Sequence, residues 1–279
     1  MGQTLAERLL ARKAGRESVR PGEIVTVEPD IAMSHDNSAA ISGTFARMGV
    51  ERVWDPDRLV LVLDHAAPPP TSAHAENHRK VRAFVRDQGI RNFYDINNGV
   101  CHTVMCEQGH VWPGALIVGA DSHMLTQGAL GAFATGIGRT ELAAVWALGE
   151  IWLRVPTTIR VRVTGSLGPA LTAKDVVLKL LADIGAAGAD YRAVEFEGEL
   201  IDNLAPEQRM VLCNLMAEAG AKTAIVAPDE TTRRWLESRC NVEWEPFAAD
   251  PDAEYEQTIE IDAGGLEPHV ALPHSPANG

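Results

Sequence analysis

Continuous apolar runs alternate with amphipathic segments along most of the chain, and this pattern predicts strands and helices in turn. Residues 59–63 and 115–118 contain only leucine, isoleucine, valine and alanine, which is typical of parallel strands that are covered on both faces. Further strands are predicted over 23–27, 93–96, 158–163, 193–197, 223–226 and 258–261, with an extended stretch at 103–105. Helices are predicted over 4–14, 38–48, 73–88, 141–153, 173–184, 206–220 and 229–239. The alternation indicates an α/β protein with mostly parallel sheets.

A change of pattern near Pro156 predicts a domain boundary. The chain of 279 residues is long enough for two ordinary domains. We therefore expect a first domain over 1–156, a second over 157–266, and a proline-containing connecting segment over 267–279 that leads toward a third domain.

Composition narrows the classes of partner. A formal net charge of −13 argues against nucleic acid and anionic membranes as partners, but not against a small anionic substrate. The first residues lack the apolar core of a signal peptide, and no apolar run reaches the length of a membrane span. We therefore expect a cytoplasmic protein.

Four cysteines, Cys101, Cys106, Cys213 and Cys240, are scattered without a C-x-x-C pair. Their spacing does not favour a closed zinc or iron–sulfur site built from these four alone. We interpret them as small buried hydrophobic residues.

Three histidines stand at junctions between predicted elements. His65 follows Asp64 at the end of one apolar run, His123 ends Asp121-Ser122-His123 after another, and His102 follows residues 97–101. Side chains at the carboxyl ends of parallel strands point into the crevice where α/β proteins bind ligands. An acid/base site is the functional interpretation; turn-capping aspartates beside core histidines are the structural alternative.

Other polar residues give weaker signals. Asn214 and Glu218 lie four apart on one predicted helix and interrupt its apolar face. His35 is a further candidate, with Asp36 or Ser38 as a helix cap, whereas His74, His78, His110, His269 and His274 are interpreted as surface or loop residues.

Two other motifs are not matched. The glycines from 128 to 138 have neither the spacing of a P-loop nor that of a dinucleotide-binding loop, and we expect them to allow close packing instead. Ser122 lacks the G-x-S-x-G setting of a hydrolase nucleophile, so a serine hydrolase is only a weak alternative.

Taken in order, these residues resemble the aconitase superfamily of hydro-lyases, and within it the large subunits of 3-isopropylmalate dehydratase and homoaconitase. The resemblance covers nearly the whole chain. Its segments are Leu63-Asp64-His65, Gly99-Val100-Cys101-His102, Gly119-Ala120-Asp121-Ser122-His123, Gly128 through Gly136, Thr164-Gly165-Ser166-Leu167, Lys174-Asp175-Val176, Cys213 through Glu218, and Glu267-Pro268-His269.

The resemblance implies three-layer α/β/α domains and a reversible dehydration and rehydration of a hydroxy di- or tricarboxylate. It also implies a 4Fe–4S cluster, one iron of which acts as a Lewis acid. Carried over by position, His65, His102 and His123 surround that iron and the leaving hydroxyl, with His102 or His123 as proton donor. Asp64, Asp121 and Glu218 orient the imidazoles, Asn214 and Glu218 hold water, and Ser122 and His35 contact substrate.

The chain departs from the family pattern in what it lacks. The cluster cysteines of the family lie beyond a segment like 272–276, so no residue of this chain is assigned as a metal ligand. We expect the complete enzyme to need a cysteine-bearing third domain and a small subunit or swivelling domain, and this chain to be inactive without them. Met124 stands where threonine is common.

Several alternatives stay open at this level. The chain is interpreted as a shortened piece, one part of a split enzyme, or a cluster-free relative. Within the enzyme class, homoaconitase or a malate- or maleate-type hydratase competes with 3-isopropylmalate dehydratase. From another class, a non-catalytic scaffold that binds a carboxylate or partner chains is the alternative.

Overall fold

A computed structural model describes residues 2–279. Its strands are β1 (Ile24–Val27), β2 (Ile31–Ser34), β3 (Leu59–Val62), β4 (Asn92–Tyr94), β5 (Leu116–Gly119), β6 (Phe133–Gly136), β7 (Ile151–Arg154), β8 (Thr158–Thr164), β9 (Ala193–Glu197), β10 (Thr223–Val226) and β11 (Gln257–Asp262). Its α-helices are α1 (Leu5–Lys13), α2 (Ser38–Arg47), α3 (Ser72–Gln88), α4 (Cys101–Glu107), α5 (Arg139–Leu148), α6 (Ala173–Ile184), α7 (Glu199–Asn203), α8 (Pro206–Leu215) and α9 (Glu230–Leu236). Short 3₁₀ helices span Ser122–Leu130, Met216–Ala219 and Ala263–Gly265.

The first sheet has five parallel strands in the order β4-β3-β2-β5-β6. The chain builds outward from β2 through β3 to β4, and then returns to the other side of β2 with β5 and β6. The strand order therefore reverses between β2 and β5. In open parallel sheets, ligands bind in the crevice outside the carboxyl ends of the strands at such a reversal.

Helices cover both faces of this sheet, which explains its unbroken apolar strands. Met33, Val60 and Ile117 pack on one side against α4. Their sequence neighbours Ala32, Leu61 and Val118 pack on the other side against α2, α3 and α5. The result is the three-layer α/β/α arrangement that was expected, and it leaves the carboxyl edge of a rigid sheet to carry the loops.

A second parallel sheet has the order β10-β9-β8-β11, and an antiparallel ribbon pairs β1 with β7. The predicted α/β class is confirmed. The proposed boundary near Pro156 falls between β7 and β8 and stays a prediction. Within residues 2–279, no helix is long and apolar enough to cross a membrane.

Several predicted elements were wrong or missing. The helix predicted over 141–153 ends at Leu148, and Gly149 in the left-handed conformation turns the chain into β7. The extended stretch at 103–105 lies in α4, and the helix predicted over 206–220 becomes a 3₁₀ helix after Leu215. The central strand β2 and the edge strand β6 were not predicted, because their runs of apolar residues, 31–33 and 132–134, are shorter than those at 59–63 and 115–118.

Candidate active site at the carboxyl edge of the first sheet

The residues singled out in the sequence meet at the carboxyl edge of the five-stranded sheet. His35 follows β2, Asp64 and His65 follow β3, and Asp121 follows β5. His102 enters from α4. Because β2 and β5 are the two strands between which the order reverses, the site lies where the topology opens a crevice.

Asp121 is the central acceptor of this site. Its Oδ1 lies 2.8 Å from His102 Nε2 and accepts the backbone N–H of His123 at 2.7 Å. Its Oδ2 lies 3.5 Å from His65 Nε2 and 3.9 Å from His35 Nε2. Burial alone would raise the pKa of Asp121, but the hydrogen bonds from His102 and His123 outweigh it and hold the pKa well below its usual range. Asp121 is therefore a carboxylate, and it caps a turn and orients histidines at once.

Asp64 holds His65 from the other side. Its Oδ1 lies 2.7 Å from His65 Nδ1, and its Oδ2 accepts the backbone N–H of Cys101 at 2.6 Å. With Nδ1–H donating to Asp64, Nε2 points toward Asp121. Burial lowers the pKa of His65, but the Asp64 hydrogen bond and the charges of Asp64 and Asp121 together raise it above its ordinary value. With 45% of its side chain exposed, His65 can exchange a proton with a ligand.

His35 differs from His65 although their rings stack at 3.7 Å. Asn37 Nδ2 donates to His35 Nε2 at 2.8 Å and to the carbonyl of Ala120 at 2.7 Å. The Nδ1 of His35 is buried without a partner. Burial and the neighbouring His65 lower the pKa of His35. The ring with the lowered pKa therefore stacks on the ring with the raised pKa, and Asn37, which the sequence analysis missed, fixes the orientation of His35.

His102 is fully engaged by protein groups. Besides Asp121, its ring meets Gln127 Nε2, which lies 3.3 Å from Nδ1. With Nε2–H donating to Asp121, Nδ1 is left as the acceptor for that amide. Gln127 is completely buried, and its Oε1 has no partner. The sequence analysis missed Gln127, although a glutamine within a stretch of small and apolar residues indicates a polar group that needs a buried partner.

Asp36 and His78 form a second layer that the sequence analysis also missed. Asp36 or Ser38 was expected to cap a helix, but the carboxylate of Asp36 instead accepts the backbone N–H groups of Asp64, His65 and Ala66 at 2.8–3.2 Å. His78 was interpreted as a surface residue, which is wrong: it is 1% exposed, and its Nε2 lies 2.6 Å from Asp36 Oδ1. These bonds fix the loop that carries Asp64 and His65, and hold the pKa of Asp36 below its ordinary value against the effect of burial.

His123, Glu218 and Asn214 join the two halves of the chain. His123 Nε2 lies 3.2 Å from Glu218 Oε1, and Ser122 Oγ lies 3.1 Å from His123 Nδ1. Asn214 Nδ2 donates to Thr126 Oγ1 at 2.9 Å. Asn214 at the end of α8 and Glu218 in the following 3₁₀ helix therefore both contact the segment after β5. The ring of His123 thus links Ser122 to Glu218, as the histidine of a serine triad links a serine to an acid. However, Ser122 begins a 3₁₀ helix instead of a strained strand-to-helix turn.

His35, Asp36, Asp64 and His65 also have ligand atoms within 4.8 Å of one another. Both oxygens of Asp36 already accept hydrogen bonds from the loop and from His78. Asp64 is likewise occupied by His65 and Cys101. The carboxylates of this cluster therefore orient the histidines and have few lone pairs left for a cation.

The cysteines do not fit as ligands of an iron–sulfur cluster. Cys101, Cys106 and Cys213 are completely buried, as was interpreted, and Cys240 is partly buried. Burial raises the pKa of Cys106 to about 12 and also raises those of Cys101 and Cys213, so these three are neutral thiols. Cluster ligands are thiolates. The described part of the chain therefore supplies histidines and carboxylates but not the thiolates of a cluster.

Comparison with known proteins places this chain in a family. Residues 7–279 match the aconitase family (aconitate hydratase). The chain belongs to the aconitase family. It is 50% identical to a 3-isopropylmalate dehydratase large subunit 1 of Methanopyrus kandleri, over 100% of this chain and 66% of that protein. A probable methanogen homoaconitase large subunit of Methanosarcina mazei is 48% identical over 89% of this chain and 64% of that protein.

This aconitase-family chain spans about two thirds of the length of the curated relatives it matches. The holo-form crystal structure of Thermococcus kodakaraensis aconitase X matches with a TM-score of 0.46 and 14% identity, over 86% of this chain and 58% of that chain. The resemblance stated from the sequence is confirmed for the family. The roles of individual site residues stay predictions.

Proposed function

We propose that this chain forms part of a hydro-lyase that dehydrates and rehydrates a hydroxy di- or tricarboxylate, with 3-isopropylmalate as the first candidate substrate. The observation that carries the proposal is the convergence of His65, His102 and His123 on the single carboxylate of Asp121 at a sheet-edge crevice. Such an elimination needs a proton for the leaving hydroxyl, and this site holds imidazoles in fixed orientations.

His65 is the proposed donor of that proton. Its Nδ1 is anchored by Asp64, its Nε2 faces the crevice, and its pKa is raised. His102 and His123 were favoured by the sequence. Both ring nitrogens of His102 are engaged by protein groups, and His123 is tied to Glu218 and Ser122. We assign these two histidines to binding and orienting the substrate.

The remaining groups act on the substrate from the rim of the crevice. Ser122 offers a hydroxyl to a carboxylate, while Glu218 and Asn214 set the position of His123 and of the segment that follows it. His35 supports His65 by stacking. Together these groups would bind a multiply charged acid and hold one imidazolium next to its hydroxyl.

The complete enzyme is proposed to include a 4Fe–4S cluster, a cysteine-bearing region and a small subunit or swivelling domain. The relatives named as large subunits, of which this chain covers about two thirds, support that composition. When bound, a cluster of this kind supplies a Lewis acid for the hydroxyl. Because Cys101, Cys106 and Cys213 are buried neutral thiols, we expect the chain alone to be inactive.

Hydratase activity of the full-length gene product, purified anaerobically with its partner subunit, tests the proposal. The substrates are isopropylmalate, homocitrate and malate, and the readout is ultraviolet absorbance of the unsaturated product. We expect His65→Asn to lower kcat by about 100-fold or more, as the loss of a general acid does. His74→Asn, on the exposed surface of α3, is the matched control and should keep full activity.

Two results would contradict the proposal. One is the absence of hydratase activity with all three acids in a preparation that carries its cluster. The other is a hydrolase activity abolished by Ser122→Ala, which would favour a serine triad of Ser122, His123 and Glu218. A fully active His65→Asn enzyme would overturn only the assignment of the proton donor.

A further inference from the structure

A cavity of about 540 Å³ opens beside the proposed active site. Asp121 and Ser122 form one end of it. The opposite walls come from the start of α5 and from the segments before β9 and β10, where Tyr191 and Lys222 lie. The cavity therefore continues the crevice of the first sheet toward the second half of the chain. Its volume is in the range of small-molecule sites.

Lys222 is an under-occupied cation in this cavity. Its Nζ donates one long hydrogen bond of 3.5 Å to the carbonyl of Gly136 and lies 5.3 Å from the ring centroid of Tyr191. Among residues 2–279, no carboxylate lies within ion-pair distance of its Nζ. Burial lowers the pKa of Lys222 against the opposing charge of Glu141. An ammonium with three donors and one weak acceptor is stabilised by any anion that reaches it.

A second cation and two acids complete the electrostatics of the cavity. Arg139 at the start of α5 is exposed and lines the same wall as Glu141. The Glu141 carboxylate accepts the backbone N–H of Gly138 at 2.6 Å and so is used as the cap of α5. Asp190 is exposed to solvent. Lys222 and Arg139 are therefore available to bind an anion, whereas the carboxylate of Glu141 is already hydrogen-bonded to the backbone of Gly138.

We propose that this cavity is an anion subsite, in which Lys222 binds one carboxylate of the substrate, with Arg139 as a second contact. The inference rests on the proposed function, because Ser122 and Asp121 join the subsite to the histidines. It makes Lys222 a substrate-binding residue: an acid whose carboxylate reaches its Nζ binds, and the same acid binds less tightly once that charge is removed.

The test is an amide NMR titration of the 279-residue chain with tricarballylate, a tricarboxylate without the hydroxyl. Inorganic sulfate is titrated in parallel, to distinguish a carboxylate arm from a general anion. We expect the signals of Ser122, Gly136 and Lys222 to shift together. Lys222→Met should weaken binding about tenfold or more, since a charge-assisted hydrogen bond is lost. Lys222→Arg, which keeps the charge, should restore most of the affinity.

Lys174→Met is the matched control, because Lys174 is an exposed lysine on α6 outside the cavity. It removes the same charge and should leave the affinity unchanged. The subsite is wrong if tricarballylate does not move the signals of Gly136 and Lys222, or if Lys222→Met and Lys174→Met bind it equally. Binding of sulfate as tight as that of tricarballylate would overturn the assignment to a substrate carboxylate.

Different results would contradict the anion subsite and the proposed function. Shifts confined to His65, His102 and His123 would overturn the subsite and leave the hydro-lyase proposal in place. Conversely, a Lys222-dependent anion site in a chain whose full-length enzyme shows no hydratase activity would leave the subsite in place and overturn the function.

Discussion

Individual carboxylates in this protein accept hydrogen bonds from several donors. The resulting environments differ from one histidine to the next. Asp64 accepts from the ring of His65 and from the backbone N–H of Cys101, while Asp121 meets both His102 and His65. A carboxylate offers about four lone-pair sites, so one side chain can orient several groups. Of the stacked pair, His65 has a raised pKa and His35 a lowered one.

The first prediction concerns Asp64. In Asp64→Asn the pKa of His65 should fall, because burial still lowers it while the hydrogen bond to Asp64 and the charge of that carboxylate are lost. The ring carbon-bound proton signals of His65, followed by NMR from acid to alkaline pH, measure this pKa. Asp183→Asn, which removes an exposed carboxylate paired with Lys179 on α6, is the control. An unchanged pKa in Asp64→Asn would refute the assigned role.

Pairs of elements are joined by buried polar groups that connect distant parts of the sequence. At the start of α1, Glu195 on β9 accepts the backbone N–H of Ala6 at 3.0 Å and the hydroxyl of Tyr255 at 3.2 Å. On the first sheet, His78 on α3 contacts Asp36, which in turn holds the loop after β3. Glu195 and His78 are 4% and 1% exposed, so we expect each to have a measurable role in stability.

The second prediction concerns the pH dependence of stability. Burial raises the pKa of Glu195 from 4.5 to about 7 in the folded chain. The folded state therefore keeps a proton that the unfolded state has lost, so this contribution is complete below 4.5 and is lost as pH rises to about 7. Over that interval Glu195→Gln, which does not titrate, should gain about 3 kcal/mol relative to the parent chain.

Urea unfolding at several pH values measures this difference. Glu197→Gln, which changes a partly exposed carboxylate on the same strand, should leave the pH dependence as it is in the parent chain. Parallel stability curves for the parent and for Glu195→Gln would show that the proton on Glu195 is not linked to folding.

The third prediction concerns His78. Replacing it with leucine removes one donor from the buried Asp36 carboxylate, and should lower the free energy of unfolding by about 1–3 kcal/mol. His78→Gln, whose amide can still donate, should lose less. His74→Leu, on the exposed side of the same helix, should stay within about 0.5 kcal/mol of the parent chain. Thermal unfolding followed by circular dichroism distinguishes these outcomes, and equal effects at both positions would contradict the second-layer role.

At the scale of the whole molecule, the segment after β5 connects the two sheets. Its residues 122–130 carry Ser122 and His123 into the site and also pack on α8 and β10. The approach is closest at Gly128, where an added Cβ would lie 1.7 Å from the backbone oxygen of Ala224. The same contact therefore places β10 against the first sheet and brings Glu218 within reach of His123.

The fourth prediction tests this contact. Gly128→Ala should destabilise the chain by about 1–3 kcal/mol or more, because backbone and not a flexible side chain would have to move. Gly43→Ala in α2 is the matched control: no atom lies within 4 Å of its added Cβ, so the change should be neutral or stabilise by up to about 1 kcal/mol. Equal stabilities of the two variants in urea would contradict the close approach.

The sequence predicted several strands of the first sheet but not the order in which they lie. The runs at β3 and β5 were found because a strand covered on both faces must be apolar throughout. β2 is covered on both faces as well, but its run of apolar residues, 31–33, ends at Ser34 and was too short to be recognised. The strand at the centre of the sheet was thus the one that periodicity missed, and the reversal beside it could not be predicted.

The candidate site shows the same limit. The family resemblance and the positions of Asp64, His65, Asp121 and His123 at apolar run ends followed from residue order alone. His78, Asn37 and Gln127 did not, because each takes its role from partners 25 to 83 residues away.

The sequence by itself determined the class of the fold, the family, and the strand ends that carry the histidines, since apolar periodicity and motif order are local properties of the chain. Only the tertiary structure decided which nitrogen of His65 faces the crevice, that His78 is buried, and that Lys222 lies in a cavity beside Ser122. These features depend on distances between segments far apart in the chain, which are fixed by how the two sheets pack.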